Sequence, residues 1–305
     1  MIMILPNTLL ILKELNLNYF FVYIGELPNY VKTSINSVLS VDKNAKIYFC
    51  GEKDPEFKNT TFINSSEIRS KLTQELIDLK PYKNTNFDQK INSLWFTSLL
   101  RIFYINDFMK FTNINQLVHF DSDVIIYKPF MDISEQLTVD QLNITKLDNR
   151  RLIFGYSYIP SYKVINFLCE EILKNFKKNM SLFSSYDLKP LSEMETLSLI
   201  HKEFPEKFNL LPDLPYFDSS NIFDPARYGQ FLGGTHSDPK KWYMKKKPIL
   251  DHDVGLEIKA RRIKVKIKNS QPIVVFKNKE FKLVNLHIHS KKLDNFIPKE
   301  YKNYI

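Results

Sequence analysis

Apolar and polar residues follow two different periods along the first eighty residues of the chain. The segment Asn18 to Pro28 is an apolar run that ends in a turn, and it predicts a strand. The apolar positions after it have the spacing of one helix face and are Val31, Ile35, Val38 and Leu39. A second apolar run, AKIYFCGEK, follows. Strand, helix and strand with short connections predict a parallel α/β sheet.

Helical spacing returns from Asp88 to Phe111. The apolar positions there form one broad face and are Ile91, Leu94, Trp95, Leu99, Ile102 and Phe103. This predicted helix leads into an apolar strand, Leu117 to Phe120, which two acids, Asp121 and Asp123, follow directly. In open α/β sheets the ligand site lies beyond the carboxyl ends of the strands, so the acid pair marks a candidate site.

The acid pair is unusual because apolar residues precede and follow it. In an extended strand Asp121 and Asp123 would project to the same side, where two like charges repel. A divalent cation bound by both carboxylates would relieve that repulsion, and Mg²⁺ or Mn²⁺ suits oxygen ligands. The alternative is a strand end that carries two solvated acids.

Further elements follow in the second half of the chain. RLIFGYSYI predicts a strand, and Ser161 is the expected N-cap of the helix after it. LSEMETLSLIHKEF predicts a helix whose first turn holds Glu193 and Glu195, where the helix dipole favours acids. A long segment rich in Pro, Gly and Asp, from Phe208 to Gly234, is typical of a functional loop.

Positive charge concentrates near the carboxyl terminus. The chain has a net charge of +9, and residues 240 to 282 contain fourteen Lys or Arg against four Asp or Glu. RRIKVKIK alternates basic and apolar residues, which predicts a strand with one basic side. An anionic partner would suit this surface: a nucleotide diphosphate, an acidic glycan, a membrane or nucleic acid. The alternative is an ordinary solvated strand.

Composition narrows the class of protein. The 305 residues, 44% of them hydrophobic, suffice for one large or two small globular domains. Only seven glycines are present and no glycine-rich phosphate loop, which argues against P-loop and dinucleotide-binding proteins. Cys50 and Cys169 lie in apolar surroundings and are expected to be reduced core residues. Because we recognise neither a signal peptide nor a membrane-spanning segment in the sequence, we expect a cytoplasmic protein.

A second cluster of reactive side chains lies in the segment NLHIHSKK. His287 and His289 are two positions apart and therefore share one side of a predicted strand, and Lys291 and Lys292 follow. Alone, such histidines are more often ordinary core or edge residues. Beside two metal-binding carboxylates, however, an imidazole can complete the ligand set, and a lysine can neutralise a metal-bound diphosphate.

Taken together, these motifs resemble the GT-A nucleotide-sugar glycosyltransferases. The resemblance runs in order over residues 18 to 295 and is strongest at Val118–Tyr127 and Leu286–Lys291; FDPARYGQFLGG also resembles a loop of some members. It implies a single GT-A-like domain over residues 1–305, a Rossmann-type mixed sheet flanked by helices with a basic, β-rich extension at its C-terminal end. The nucleotide-binding half would span residues 18–130 and the acceptor half residues 131–305.

The resemblance also implies roles for individual residues. Asp121 and Asp123 would hold Mn²⁺ or Mg²⁺, with Asp123 the more direct ligand, and either His287 or His289 would be the other protein ligand. The diphosphate of the nucleotide-sugar donor would be bound by Lys291 or Lys292 and by Arg101, although Arg101 could equally be a surface ion-pair residue. The first strand, Phe21 to Gly25 with Tyr23 and Ile24, would lie beside the uracil or guanine base.

An inverting reaction, which we expect, needs a carboxylate base that takes a proton from the acceptor hydroxyl. Glu193 matches the family's acidic position best, and Glu195, Asp218 and Asp224 are rivals. Each has a structural alternative, since Glu193 could be an ordinary helix-start acid and Asp224 a turn residue before Pro225. The chain departs from the family in lacking a Gly-rich loop before the helix that would carry the base, which leaves recognition of the acceptor open.

Three functions are compatible with these residues. The first is transfer of a sugar from a UDP-sugar, or alternatively a GDP-sugar, to a glycan or other hydroxyl acceptor. The second is a nucleic-acid-binding nuclease or phosphotransferase, which would need further acids near the pair. The third is a sugar-nucleotide binding module without catalysis. No nucleic-acid partner is expected, because no DNA-binding motif is present, whereas a peripheral membrane contact remains compatible with the charge.

Overall fold

Seven strands of this protein form one mixed sheet. The structure is a computed structural model, and it describes residues 17–83, 88, 90, 93–186, 191–216, 220–235, 252–298 and 301. The described strands are, in chain order, β1 (Asn18–Val22), β2 (Lys46–Gly51), β3 (Thr60–Asn64), β4 (Leu117–Phe120), β5 (Val124–Ile126), β6 (Leu142–Asp148), β7 (Arg151–Ile159), β8 (Phe208–Leu211), β9 (Lys264–Lys268), β10 (Gln271–Phe276), β11 (Lys279–Lys282) and β12 (Asn285–His287). The order in the large sheet is β3-β2-β1-β4-β7-β6-β8.

Helices cover both sides of this sheet. They are α1 (Tyr30–Val41), α2 (Ser65–Ile68), α3 (Lys71–Leu79), α4 (Leu94–Thr112), α5 (Tyr162–Tyr186), α6 (Glu193–Glu203), α7 (Tyr228–Gly233) and α8 (His252–Lys259). Alternate side chains of β1 enter different apolar clusters: Phe20 packs with residues of α3 to α6, and Phe21 packs with residues of α1. Such a strand, buried on both sides, explains the continuous apolar run of the sequence.

The strand pairing confirms the prediction of a mixed α/β sheet. Strand β1 pairs in parallel with β2 and with β4, as expected for strands joined through helices. Strand β7 is antiparallel to both β4 and β6, and β6 is parallel to β8. The carboxyl ends of β1 and β4 therefore meet at one edge of the sheet.

Helix α4 is shorter than predicted and buried differently. It begins at Leu94, which is 57% exposed, so the expected apolar face is wrong at that residue. Most of the helix is buried because α2, α3, α5, α6 and β1 all contact it. Predicted helix residue Ile91 lies outside the described residues.

The run Leu117 to Tyr127 is two strands and not one. Strand β4 belongs to the large sheet, whereas β5 pairs with β12 in a separate two-stranded sheet. Asp121, Ser122 and Asp123 form the turn between them, in which the Val124 N–H donates to the Asp121 carbonyl at 3.0 Å. The expectation that both acids share one side of an extended strand was wrong, although their place after the end of β4 is confirmed.

The predicted loop from Phe208 to Gly234 is wrong at both ends, where strand β8 and helix α7 form, but other local predictions hold. Ser161 Oγ accepts the N–H of Val164 at the start of α5, and both Cys50 and Cys169 are free thiols in the core. The basic segment forms an antiparallel sheet in the order β11-β10-β9. Within the described part of the chain, no helix combines the length and the apolar character needed to cross a membrane.

Candidate functional site

Backbone contacts from distant parts of the chain fix the turn that carries the acids. The Asp121 N–H donates to the carbonyl of Gly155 in β7 at 3.0 Å. The carbonyl of Asp123 accepts the N–H of Ile288, just after β12, at 2.9 Å. The acid turn therefore joins the large sheet to the C-terminal segment, and the pairing of β12 with β5 sets His287 opposite Val124.

Asp121, Asp123 and His287 converge in space. His287 Nε2 lies 3.1 Å from Asp123 Oδ1 and 3.7 Å from Asp121 Oδ2. One ligand atom from each of the three residues falls within 4.8 Å of the others. Asp123 and His287 are buried, at 5% and 8% exposure, and Asp121 is half-buried. Two carboxylates and one imidazole thus point at a common centre.

Two neighbouring side chains keep the carboxylate of Asp123 charged. Burial by itself would raise the pKa of Asp123, but His287 and the ammonium of Lys291, which contacts Asp123 Oδ2, hold that pKa well below its ordinary value. The Lys291 ammonium also lies 5.3 Å from the ring centre of Tyr30. Lys291 takes a left-handed backbone conformation with φ of 61°, whereas Lys292 is exposed. The structure therefore brings Lys291, and not Lys292, to the acids.

The two predicted histidines have different surroundings. His289 stacks on His287 with ring centres 4.6 Å apart, and its Nε2 lies 3.2 Å from Gln230 Nε2. His289 is not among the three residues whose ligand atoms converge. The geometry favours His287 as the imidazole ligand.

Gly155 makes room for the ring of His287. A Cβ at residue 155 would lie 2.9 Å from His287 Nδ1, closer than side chains tolerate. That nitrogen is buried and has no hydrogen-bond partner within the described residues. Sequence reasoning missed Gly155, although a lone glycine inside a strand signals a close approach, and this chain has only seven glycines.

Arg101 connects the acid turn to the predicted base. Its guanidinium contacts Asp121 and donates from Nη2 to both oxygens of Glu193, at 2.9 and 3.1 Å. The Arg101 side chain is only 14% exposed, so it is not a surface ion-pair residue. Glu193 is buried at 4% exposure. Arg101 and Glu193, which lie 92 positions apart in the sequence, thus belong to one charged network with Asp121.

The rival bases have other partners. Glu195 closes the capping box of α6, where its Oε2 accepts the N–H and the hydroxyl of Ser192. Asp224 is fully buried, and its two oxygens accept four backbone N–H groups, those of Arg227, Tyr228, Gly229 and His287. These bonds favour structural roles for Glu195 and Asp224. Asp218 lies outside the described residues.

Asp224 also positions the backbone of His287. Its Oδ2 accepts the N–H of His287 at 2.9 Å, and the same oxygen accepts the N–H of Gly229. A Cβ at Gly229 would lie 1.9 Å from the His287 carbonyl oxygen, so the start of α7 packs directly on the backbone of β12. Sequence reasoning missed this positioning role.

Aromatic side chains lie where β1 ends. Tyr23 and Ile24, the predicted base-binding residues, are half-buried, and the Tyr23 N–H donates to the Cys50 carbonyl at 2.9 Å. Burial raises the pKa of Tyr30 well above its ordinary value, and neighbouring Tyr23 and Asp123 add to the shift. Tyr30 therefore connects the end of β1 with the acids. Sequence reasoning did not identify Tyr30, although this residue begins α1, the first helix after β1.

The ligand set suits a hard or borderline divalent cation. Carboxylate oxygens are preferred by Mg²⁺ and Mn²⁺, whereas an imidazole is the more usual ligand of borderline ions such as Zn²⁺ and Fe²⁺. The Nε2 atom of His287 faces both carboxylates. Among the described residues, this atom has no hydrogen-bond partner other than these two acids. The residues present therefore fit a divalent metal.

Sequence comparisons identify no relatives: no protein-family model and no curated protein matches the chain.

Similar solved structures include mouse xyloside xylosyltransferase 1, at TM-score 0.45 and 13% identity, covering 64% of this chain and 86% of that one. A galactosyltransferase, LgtC, in complex with donor and acceptor sugar analogs gives TM-score 0.42 and 12% identity over 73% and 81% of the two chains. The glycosyltransferase GlyE of Streptococcus pneumoniae gives 0.38 and 14% over 72% of this chain and 48% of its own. All three TM-scores lie below 0.5 and all three identities below 25%.

Proposed function

We propose that this protein is a metal-dependent glycosyltransferase that moves a sugar from a nucleotide-diphosphate donor, a UDP-sugar first and a GDP-sugar second, to a glycan or other hydroxyl acceptor. One observation carries the proposal: Asp121, Asp123 and His287 converge beyond the carboxyl end of β4, and the Lys291 ammonium contacts Asp123. A metal held by few protein groups keeps positions for substrate phosphate oxygens.

The donor would lie between the acid turn and the end of β1. Mn²⁺ or Mg²⁺ bound by Asp121, Asp123 and His287 would stabilise the negative charge of the leaving diphosphate. Lys291 would bind the same diphosphate, since its ammonium already lies at Asp123. Tyr23, Ile24 and Tyr30 offer apolar and aromatic surface for the base at the end of β1.

Catalysis would depend mainly on charges that are already in place. Lys291 and Arg101 bring two cations to a largely buried site, so positive charge is fixed before the glycosidic bond breaks. Such preorganised charges act on the leaving group with little reorganisation during the reaction. Arg101 would also orient the donor sugar or phosphate, because it contacts Asp121 and Glu193 together.

Glu193 is our candidate for the base of an inverting reaction. It is buried at the start of α6 and is connected through Arg101 to the acid turn, whereas the oxygens of Glu195 and Asp224 are occupied by helix-capping and backbone bonds. To take the proton, Glu193 would exchange one Arg101 contact for the acceptor hydroxyl. Loss of turnover with retained donor binding in Glu193→Gln would support this role.

A nuclease with two metals is less well supported. Two-metal sites need more carboxylates, and among the described residues the cluster consists of Asp121, Asp123 and His287 alone. A binding module without catalysis shares the donor site, and only turnover separates it from the enzyme.

The test is a panel of nucleotide sugars with and without Mn²⁺, measured by thermal shift and by released nucleotide. We expect Asp123→Ala to weaken Mn²⁺-dependent donor binding at least about 100-fold, since loss of a ligand exceeds the effect of outer-shell changes. Asp140→Ala, which changes an exposed acid, is the matched control. Unchanged uridine-diphosphate affinity in Asp123→Ala, or no stabilisation by any nucleotide diphosphate, would overturn the proposal.

A further inference from the structure

The antiparallel sheet β9-β10-β11 has two unlike sides. The strand register places Lys266 beside Ile273 and Ile273 beside Lys282, so that these three residues share one side. The full set on that side, which we call the lysine face, is Lys264, Lys266, Lys268, Gln271, Ile273, Val275, Glu280 and Lys282. The opposite side carries Val265, Val274 and Phe281, which pack in an apolar cluster with Ile258, Ile263 and Leu283. The lysine face is therefore the outer side.

Positive charge on this sheet is dense and exposed. All four lysines of the lysine face are exposed, Lys266 and Lys268 by 50% and 56% of their side chains. Glu280 is the only acid among residues 261–282, against eight Lys or Arg. Lys268 and Lys266 both contact Glu280 and lower its pKa to about 2, so it stays ionised and offsets one charge only. Residues 261–282 thus hold most of the net +9 of the chain.

The shape and chemistry of the lysine face select among anionic partners. Three strands about 4.8 Å apart form a surface about 10 Å wide. Its eight residues include no aromatic ring on which bases or sugars could stack and no arginine that could bind phosphates in bidentate fashion. Lysines act as point charges, which suits an array of mobile anionic headgroups.

We infer that the lysine face binds the surface of an anionic phospholipid bilayer and so makes this protein a peripheral membrane protein. Each lysine near such a surface strengthens binding about fivefold, and the attraction declines within about 10 Å at ordinary salt. Binding should therefore be reversible and should weaken steeply as salt rises. This inference does not depend on the proposed sugar transfer.

The experiment is co-sedimentation of the full chain with vesicles of phosphatidylcholine alone or mixed with phosphatidylglycerol. We expect binding to the mixed vesicles only. The variant Lys264→Gln/Lys266→Gln/Lys268→Gln/Lys282→Gln should lower the partition coefficient by more than about 100-fold, since four charges act together. A circular dichroism melt of the variant checks that it folds.

The matched control removes four exposed lysines elsewhere, as Lys43→Gln/Lys46→Gln/Lys53→Gln/Lys58→Gln, and changes the net charge equally. It should retain binding to within about tenfold if the lysine face, and not net charge, is responsible. Equal loss in both variants would overturn the inference. So would binding of heparin or single-stranded DNA without vesicle binding, which would mean a polymeric partner. Loss of membrane binding with unchanged nucleotide release would separate this surface from the proposed catalytic site.

Discussion

The acid turn with its partners and the lysine face use the same kinds of charged residue in opposite ways. Around Asp121 and Asp123, a few charges are withdrawn from water, and each has a fixed partner, such as Arg101 or Lys291. On the lysine face, many like charges stay in water, and only Glu280 compensates them. Buried charges interact strongly at short range, whereas exposed charges are screened by solvent and salt.

The contrast teaches where a single side chain matters. In the buried network each group keeps another in position, so one substitution should alter folding, metal binding or both. On the lysine face one substitution should have little effect, because the charges act as a sum. Lys291 and Lys266 illustrate this, since each pairs with an acid, but only Lys291 does so in the interior of the site.

The largest effect is expected at Asp224. Asp224→Ala leaves four buried N–H groups without their acceptor, one of them that of His287, and should lower the free energy of unfolding by about 3–5 kcal/mol. Chemical denaturation measures that loss, and calorimetric titration with Mn²⁺ should show weaker binding. Asp224→Asn keeps one carbonyl acceptor, so it should lose less unfolding free energy and less Mn²⁺ affinity than Asp224→Ala.

A different result would restore Asp224 as a candidate base. If Asp224→Ala keeps wild-type stability and Mn²⁺ affinity while turnover falls, its carboxylate acts on the acceptor, and the structural role is wrong.

Asp213 offers a test of burial by pH. Burial raises the pKa of Asp213 to about 7, nearby Asp253 adds to the shift, and Lys146 opposes it. Because the folded-state pKa lies above the unfolded value of about 3.9, the proton stabilises the fold below pH 4, and this contribution is lost as pH rises through 7. Asp213→Asn should therefore be more stable than the wild type at pH 8, by up to about 4 kcal/mol, and similar to it at pH 4.

Urea denaturation across this pH range gives the comparison. Asp140→Asn, a change at an exposed acid, should follow the wild-type curve throughout. Parallel curves for Asp213→Asn and the wild type would show that the carboxyl is ionised in the fold at neutral pH.

The smallest of these effects is expected at Gly155, and it is the most selective. Gly155→Ala places a methyl group against the His287 ring and should weaken Mn²⁺ binding about 10–100-fold by displacing this proposed ligand. Unfolding free energy should change little if the ring can shift. The Mn²⁺ dissociation constant is the readout, and Gly233→Ala, whose new Cβ would lie 3.2 Å from the Phe296 ring and 3.4 Å from Ser290 Oγ, is the control. Wild-type Mn²⁺ affinity in Gly155→Ala would argue against His287 as the ligand.

The local sequence determined most elements of this protein. Apolar runs specified β1, β2, β4 and β7, and the Ser192 capping box fixed the start of α6, because strand alternation, helix spacing and caps involve residues close in sequence. The acid pair after β4 marked the site for the same reason: the ends of parallel strands meet at one edge. These features needed no knowledge of the remaining chain.

Only the tertiary structure decided how the site is assembled. It broke the run Leu117 to Tyr127 at the acid turn, since β5 pairs with β12 and not with the large sheet. It separated His287 from His289, joined Arg101 to Glu193, and turned Asp224 toward backbone N–H groups. These features depend on contacts between residues far apart in the sequence, such as Lys291 and Asp123, which are separated by 168 positions. A local sequence pattern cannot predict such contacts.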